Sequence, residues 1–393
     1  MERLVLLVLA GLMLISCKKE PGTTPPIKAD RTVLVYMAVS NLTSQAELNL
    51  ADMAAGMEGL SGNLIVYVNR YPGNAVLYRV NDDQTMVEVA QYGKEDPASA
   101  EVLQRVWNTT VQQFPADSYG LVIWGHATGW VPADLNITNQ RSKPIGEELS
   151  QPLQGMEQQI WTQMPNALPT KAFGGDMEIS DMVAALPQDR KLDFLLFDAC
   201  FMSSIEALYD LRNTAQYIIA SPTEVMGDGF PYTDVTPLFF QEILNLQGIC
   251  QAFVDSYRYS SSVQSASVAL INTSELEPLA TAVRNLYDAF PDPSVDLDEV
   301  QPFESLTRHV FYDMEDYFKQ FAEGSSQFEA FQSQLAKTVV FSDCTDWIYS
   351  AYGAMFQCVN YCGISTYVPQ DVFPVYGAAY AETAWAKAIG MSN

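Results

Sequence analysis

The sequence predicts an α/β fold built on a mostly parallel sheet, with additional helices and strands toward the C-terminus. Three observations carry this reading. Short continuous apolar runs such as "TVLVYMAV" (32–39) and "YGLVIWG" (119–125) recur along the chain, the mark of strands buried on both faces. Stretches of helical periodicity separate them, as a parallel sheet with crossover connections requires. The composition of the 393 residues, 48% apolar and 17% charged, is that of a globular chain long enough for one large domain or two ordinary ones.

Taken in order, the first buried strand is 32–39, followed by a Pro-free helical stretch at 44–58 and a second strand "NLIVYVNR" (63–70). "AVLYRV" (75–80) and "TMVEVA" (85–90) read as a hairpin joined by "NDDQ". A helix is expected over 98–113, then buried strands at 119–125, 191–199 and 215–221. Between the strands at 119–125 and 191–199 lies a polar, turn-rich segment, 131–190, and a segment that long in a compact domain is usually functional or disordered. Helices are expected over 238–258, 274–290 and 313–334, with strands at 265–272 and 362–369. The chain from 236 to 393 therefore either completes the sheet of the 31–235 core or forms a subdomain.

Residues 1–17 stand apart from the fold. "LVLLVLAGLMLIS" after Arg3 is too short to span a bilayer and reads as a secretory signal. It ends in "LISC", which resembles the bacterial lipobox, in which the Cys, here Cys17, is diacylated and becomes the mature N-terminus. Residues 18–30, "KKEPGTTPPIKAD", make a polar, Pro-rich tether. Lipid and tether together would hang a soluble domain from a membrane of the cell envelope.

The formal net charge of −26 argues against a nucleic-acid partner and would draw in cationic substrates. Besides Cys17 the cysteines are Cys200, Cys250, Cys344, Cys358 and Cys362. Export permits disulfides, and a bridge among Cys344, Cys358 and Cys362 is not assignable from spacing. The C-x₃-C spacing is loose for zinc and only His309 lies nearby in sequence, so no metal site is expected.

Ligands of open α/β sheets bind beyond the carboxyl ends of the strands. Two such ends here carry reactive groups: "LVIWGHATGW" ends in Gly125-His126, and "FLLFDACFM" ends in Asp198-Ala199-Cys200. A His in a Gly-flanked loop is poorly explained by core packing, whereas a lone Cys is commonly a buried small hydrophobe. Together they supply a thiol nucleophile and a base able to take its proton and return it to a leaving amine. Backbone N–H groups at Cys200 and at Ala127 could stabilise the oxyanion of acyl transfer. His309, in "SLTRHVFYDM", reads as a packing or surface histidine. No G-x-S-x-G elbow is present to support a serine hydrolase.

"WGHATGW", "DACFMSSIEAL" and "SPTEVMGDGFPY" together resemble the clostripain (C11) family of cysteine peptidases, with strand–His, long segment and strand–Cys in the same order. The resemblance covers roughly 31–235. It implies the caspase–haemoglobinase fold, an α/β/α sandwich, with Cys200 as nucleophile, His126 as general base, and cleavage of proteins or peptides after Arg or Lys. Asp198 shares a face with Cys200 in an extended segment and stands where caspases carry Gln, so a carboxylate there fits a cationic P1 side chain. The competing account of Asp198 is a cap on the following helix. Asp228 and Glu224 are further candidates for the substrate pocket, and Glu206 is structural or supports the site from behind. Ala127 replaces the Gly that commonly follows the family's catalytic His. Self-cleavage between the two strands, as in relatives of the clan, would fall at Arg141 or Lys171. Calcium assists some relatives, but no D-x-D-x-D-G loop is present and no cofactor is expected. The competing reading of the whole chain is a catalytically silent, caspase-like binding module on the cell envelope.

Overall fold

The computed structural model describes residues 28–132, 135 and 177–392, apart from 71, 260–262, 307, 352 and 354. A nine-stranded sheet runs through the molecule. Its strands are β1 (Ala29–Ala38), β2 (Asn63–Asn69), β3 (Ala75–Val80), β4 (Met86–Gln91), β5 (Ala116–Trp124), β6 (Leu192–Asp198), β7 (Ala215–Ala220), β8 (Ser267–Asn272) and β10 (Val339–Cys344), in the order β10-β8-β7-β6-β5-β1-β2-β3-β4. The five strands from β7 to β2 are mutually parallel. Antiparallel strands extend both sides, β3 and β4 on one and β8 and β10 on the other.

Burial follows from this placement. Every residue of β2 and all of 33–37 in β1 are buried, because central parallel strands are covered on both faces. The edge strand β4 has no buried residue. Helices α1 (Thr43–Gly56), α5 (Tyr232–Phe239) and α6 (Leu246–Arg258) pack together in sequence. A second group joins α2 (Ala100–Gln113), α3 (Ile179–Ala185), α4 (Ile205–Asp210), α7 (Leu276–Ala289), α9 (Ser326–Thr338) and α11 (Ala384–Ile389). The two groups flank the sheet, giving the mostly parallel α/β fold that the buried runs predict. The remaining elements are α8 (Met314–Ala322), α10 (Pro374–Glu382) and two short ladders, β9 (Tyr312–Asp313) with β13 (Ser365–Thr366) and β11 (Trp347–Ile348) with β12 (Phe356–Gln357). Among the described residues no helix is long and apolar enough to cross a membrane.

Three expected elements differ. The helix read over 238–258 is two: α5 ends at Phe239, and α6 starts afresh after Asn245, whose side chain accepts from the Gly248 N–H at 2.9 Å. The helix read over 313–334 breaks at Gly324, which takes φ +79°, and restarts under a Ser325 cap. The strand read over 362–369 contributes only Ser365–Thr366 to a small ladder, because β10 occupies the sheet edge beside β8.

Since β1, β5, β6 and β7 are parallel, their carboxyl ends lie along one rim. The chain leaves β1 for β2 on one side and returns to β5 on the other, so the loops after β1 and β5 diverge there, where α/β folds form binding crevices.

Candidate active site

In the register of the adjacent strands Trp124 pairs with Asp198. His126 and Cys200 each stand two residues beyond that pair, on neighbouring loops of the same rim. The ladder continues one step past the strands, with the Gly125 N–H donating to the Asp198 carbonyl at 3.3 Å.

The turn after β6 is stitched to the loop after β7. The Phe201 N–H donates to the Thr223 carbonyl and the Ser203 N–H to the Ser221 carbonyl, both at 3.0 Å. Phe201 is held at φ +59°, a left-handed conformation uncommon for a bulky residue. Such strain persists only where the surroundings over-determine it, and it clusters at functional turns. Here the surroundings are the two N–H bonds and the stack of Phe201 on Phe311 at 4.6 Å between centroids. The Cys200 sulfur is fully buried, and the Val225 N–H donates to it at 3.1 Å. The thiol in turn points at the Val225 carbonyl, 3.6 Å away, so both polar groups of one backbone residue hold the sulfur.

The loop carrying His126 packs backbone to backbone against the same turn. Gly129 takes φ +64°, and a Cβ placed there would lie 2.7 Å from the Phe201 carbonyl oxygen. Only glycine allows that approach. The imidazole is half-buried, with Nε2 at 2.6 Å from the Asn41 Oδ1 just past β1. An amide oxygen accepts, so Nε2 carries a proton in this contact. Ala127 is not among the residues with positive φ, so alanine there meets no backbone penalty.

Asp198 is fully buried. Its Oδ2 accepts from the Tyr232 hydroxyl at 2.9 Å and the Phe230 N–H at 3.4 Å, so it faces the segment after β7 that also touches Cys200. Asp228 has an exposed side chain, while its carbonyl accepts from Asn49 Nδ2 at 2.9 Å; Asn49 Oδ1 in turn accepts from the Trp124 indole at 2.7 Å. Both carboxylates act on one phenol. The Tyr257 hydroxyl is pushed far above the ordinary range by burial first, then by Asp198 and Asp228. The Tyr257 hydroxyl donates to the Gly229 carbonyl at 2.9 Å, so the buried Asp198 and the exposed Asp228 belong to the two sides of the same 228–232 segment.

Glu224 is placed differently from a pocket-lining group. Its Oε1 accepts from the Ser350 hydroxyl and the Ala351 N–H, each at 2.8 Å, which makes it a strut between the C-terminal third and the loop behind Cys200. Glu206 is fully buried on α4, with Oε1 accepting from the Tyr367 N–H at 2.9 Å; burial raises its carboxyl to about 7. His309 lies against buried Glu304 at 2.5 Å; burial opposes its protonation, but Glu304 outweighs it and holds the ring above its usual range. Asn41, Val225 and the left-handed Phe201 escape sequence reasoning. Only Asn41 had a signal, its position after the carboxyl end of a central strand. Among the described residues no three His, Cys, Asp or Glu side chains are grouped to hold a metal ion. Cys17, Arg141 and Lys171 lie outside the described residues.

A thiol and an imidazole on adjacent loops of such a rim, with a buried aspartate two residues before the thiol, form a constellation of the cysteine-peptidase class. The chain belongs to the clostripain family, whose model matches residues 35–146 and 171–388, and it is a cysteine peptidase. Solved structures agree. It is similar to an inactive zymogen C11 protease from Parabacteroides distasonis at 29% identity, over 93% of this chain and 99% of that one, with a TM-score of 0.76. A secreted C11 cysteine protease from Bacteroides thetaiotaomicron in complex with an irreversible peptide inhibitor matches at 27% identity over 92% and 98% of the two chains, with a TM-score of 0.73. Another structure of a secreted C11 cysteine protease from that organism shares the fold, with 23% identity, 92% and 100% coverage and a TM-score of 0.77. A comparison with curated proteins found no match.

Proposed function

We propose that the protein is an endopeptidase that cleaves proteins or peptides after Arg or Lys, with Cys200 as nucleophile and His126 as general base. The observation that carries this reading is the interlocking of the two loops: Gly129 against the Phe201 carbonyl brings the His126 loop onto the turn that holds Cys200. The His126 Nδ1 takes the thiol proton, and the thiolate attacks the scissile carbonyl. The Cys200 and Ala127 N–H groups receive the oxyanion. The imidazolium then protonates the leaving amine, and a water activated by the same ring hydrolyses the thioester. Asp198, with Asp228 beside it, is the counter-charge for a cationic P1 side chain. Support for that role is the Asp198 carboxylate facing the Phe230 N–H and the Tyr232 hydroxyl, in the segment that also carries Asp228.

The buried sulfur supports a latent form. A substrate carbonyl must reach it, so activation includes its exposure, and cleavage at Arg141 or Lys171 between the two catalytic strands is the step proposed to bring this about. A signal ending in a lipidated Cys17 would hold the enzyme on the cell envelope through a tether shorter than the expected 18–30, since β1 already starts at Ala29; the lipobox-like "LISC" and the similarity to secreted proteases support this.

The deciding experiment compares wild type with Cys200→Ala and Asp198→Asn on fluorogenic Arg, Lys and Leu peptides, with intact masses recorded alongside. Cys200→Ala is expected to abolish turnover and leave a single uncut chain. Asp198→Asn should lose at least about 100-fold in kcat/KM on Arg and Lys peptides, the scale of removing one side of a buried charge pair. Equal Arg and Leu turnover by wild type would reject the specificity. Turnover surviving in Cys200→Ala would reject the nucleophile, and a single uncut chain in wild type as well as in Cys200→Ala would reject self-cleavage.

A further inference from the structure

We propose that Cys344 and Cys358 form a disulfide that closes the base of the β11–β12 hairpin and clamps the strut behind the nucleophile. The two sulfurs lie 3.4 Å apart. Neither belongs to the catalytic constellation. The backbones around them are already fixed. Cys344 ends β10, where its carbonyl accepts from Arg258 Nη2 at 3.0 Å, and Cys358 continues the β11–β12 ladder by donating its N–H to the Asp346 carbonyl at 3.0 Å. Small side-chain rotations are enough to bring such a pair to bonding geometry. Both residues are half-buried and open to an oxidant, whereas Cys200, Cys250 and Cys362 are buried, and the Cys362 thiol is directed at the Ile364 carbonyl at 3.2 Å. The structure thus selects one pairing from the alternatives that spacing leaves open.

The enclosed segment, 345–357, contains Ser350 and Ala351, the two donors to Glu224. Glu224 precedes Val225, whose N–H meets the Cys200 sulfur. A bridge at the base of this hairpin therefore holds the far end of the strut in place. In the bond-forming step each thiol gives up its hydrogen as the S–S bond forms. The two electrons and two protons pass by thiol–disulfide exchange to a disulfide of the oxidoreductase class, which leaves as a dithiol. This chemistry rests on the export reading, because the bridge persists only in an oxidising compartment.

The test is differential alkylation of the full chain: denature without reduction, block free thiols with a light maleimide, reduce, label with a heavy one, and map peptides. In purified protein equilibrated with glutathione disulfide, the heavy label is expected on Cys344 and Cys358 and the light label on Cys250. A light label on both, or a bridge from either to Cys362, overturns the pairing whatever the compartment. A bridge that forms in the purified protein but is missing from chain extracted from the cell envelope overturns its existence in life and leaves the peptidase assignment intact. In thermal melts, oxidised wild type should lose about 4 °C in Tm on reduction. The Cys344→Ser, Cys358→Ser double variant should already melt at the lower temperature and not respond to reductant. Equal melting of oxidised and reduced wild type overturns the clamp.

Discussion

His126 is positioned by a residue 85 places earlier in the chain. The Asn41 amide oxygen, 2.6 Å from Nε2, sets the orientation of the ring and holds a proton on that nitrogen. Removing an orienting partner of this kind costs roughly tenfold or more in comparable histidine sites. Asn41→Ala should therefore lower kcat about tenfold with KM little changed. Asn41→Asp, which keeps the acceptor and adds a charge, should move the acid limb of the pH–rate profile upward, because a carboxylate favours the imidazolium. An unmoved profile in Asn41→Asp would mean that Asn41 does not hold the catalytic ring.

At the scale of elements, the site depends on loops that touch through backbone. Gly129 is the contact point, and two costs coincide there: its left-handed φ and a Cβ position 2.7 Å from a carbonyl oxygen that cannot swing away. Gly129→Ala should destabilise the fold by about 2 kcal/mol or more and also reduce kcat/KM, since the His126 loop must lift from the Cys200 turn. Gly324→Ala is the control. Gly324 also has positive φ, at +79°, but its Cβ would meet nothing within 4 Å. It should lose only the conformational part, about 1 kcal/mol, with unchanged turnover. Denaturant midpoints and steady-state kinetics of the two variants separate strain from clash.

Over the whole molecule, buried carboxylates couple stability to pH in a direction opposite to the usual acid unfolding. Burial raises Glu206 from 4.5 to about 7 and Asp313 from 3.8 to about 6. Each group then binds its proton more tightly folded than unfolded. Its contribution is fully present below the unfolded value and is lost as pH rises through the folded one, between about 4 and 7 for the pair. Glu206→Gln keeps the acceptor for the Tyr367 N–H and removes the titration. Its unfolding free energy should lose less than wild type's between pH 4.5 and pH 8, by about 3 kcal/mol. Parallel stability curves for the two proteins would refute the assignment.

The central sheet was legible because burial on both faces leaves its mark in sequence: strands such as "NLIVYVN" can only be sandwiched. The candidate pair was legible too, since His126 and Cys200 follow the ends of two such strands, and ends of parallel strands share a rim. Helix breaks near 240 and at Gly324 were not, because caps and turns override a continuous apolar period. Nor was Glu224's engagement with Ser350, a contact spanning 126 positions.

The sequence by itself determined the α/β class, the central strands and the types of group at their ends, because periodicity and local residue chemistry are properties of neighbours in the chain. Only the tertiary structure decided that Asn41 faces the imidazole, that Val225 faces the sulfur, that Glu224 ties the C-terminal third to the site, and that Cys344 lies beside Cys358. Each of these contacts joins residues that become neighbours only when sheet and loops close around them.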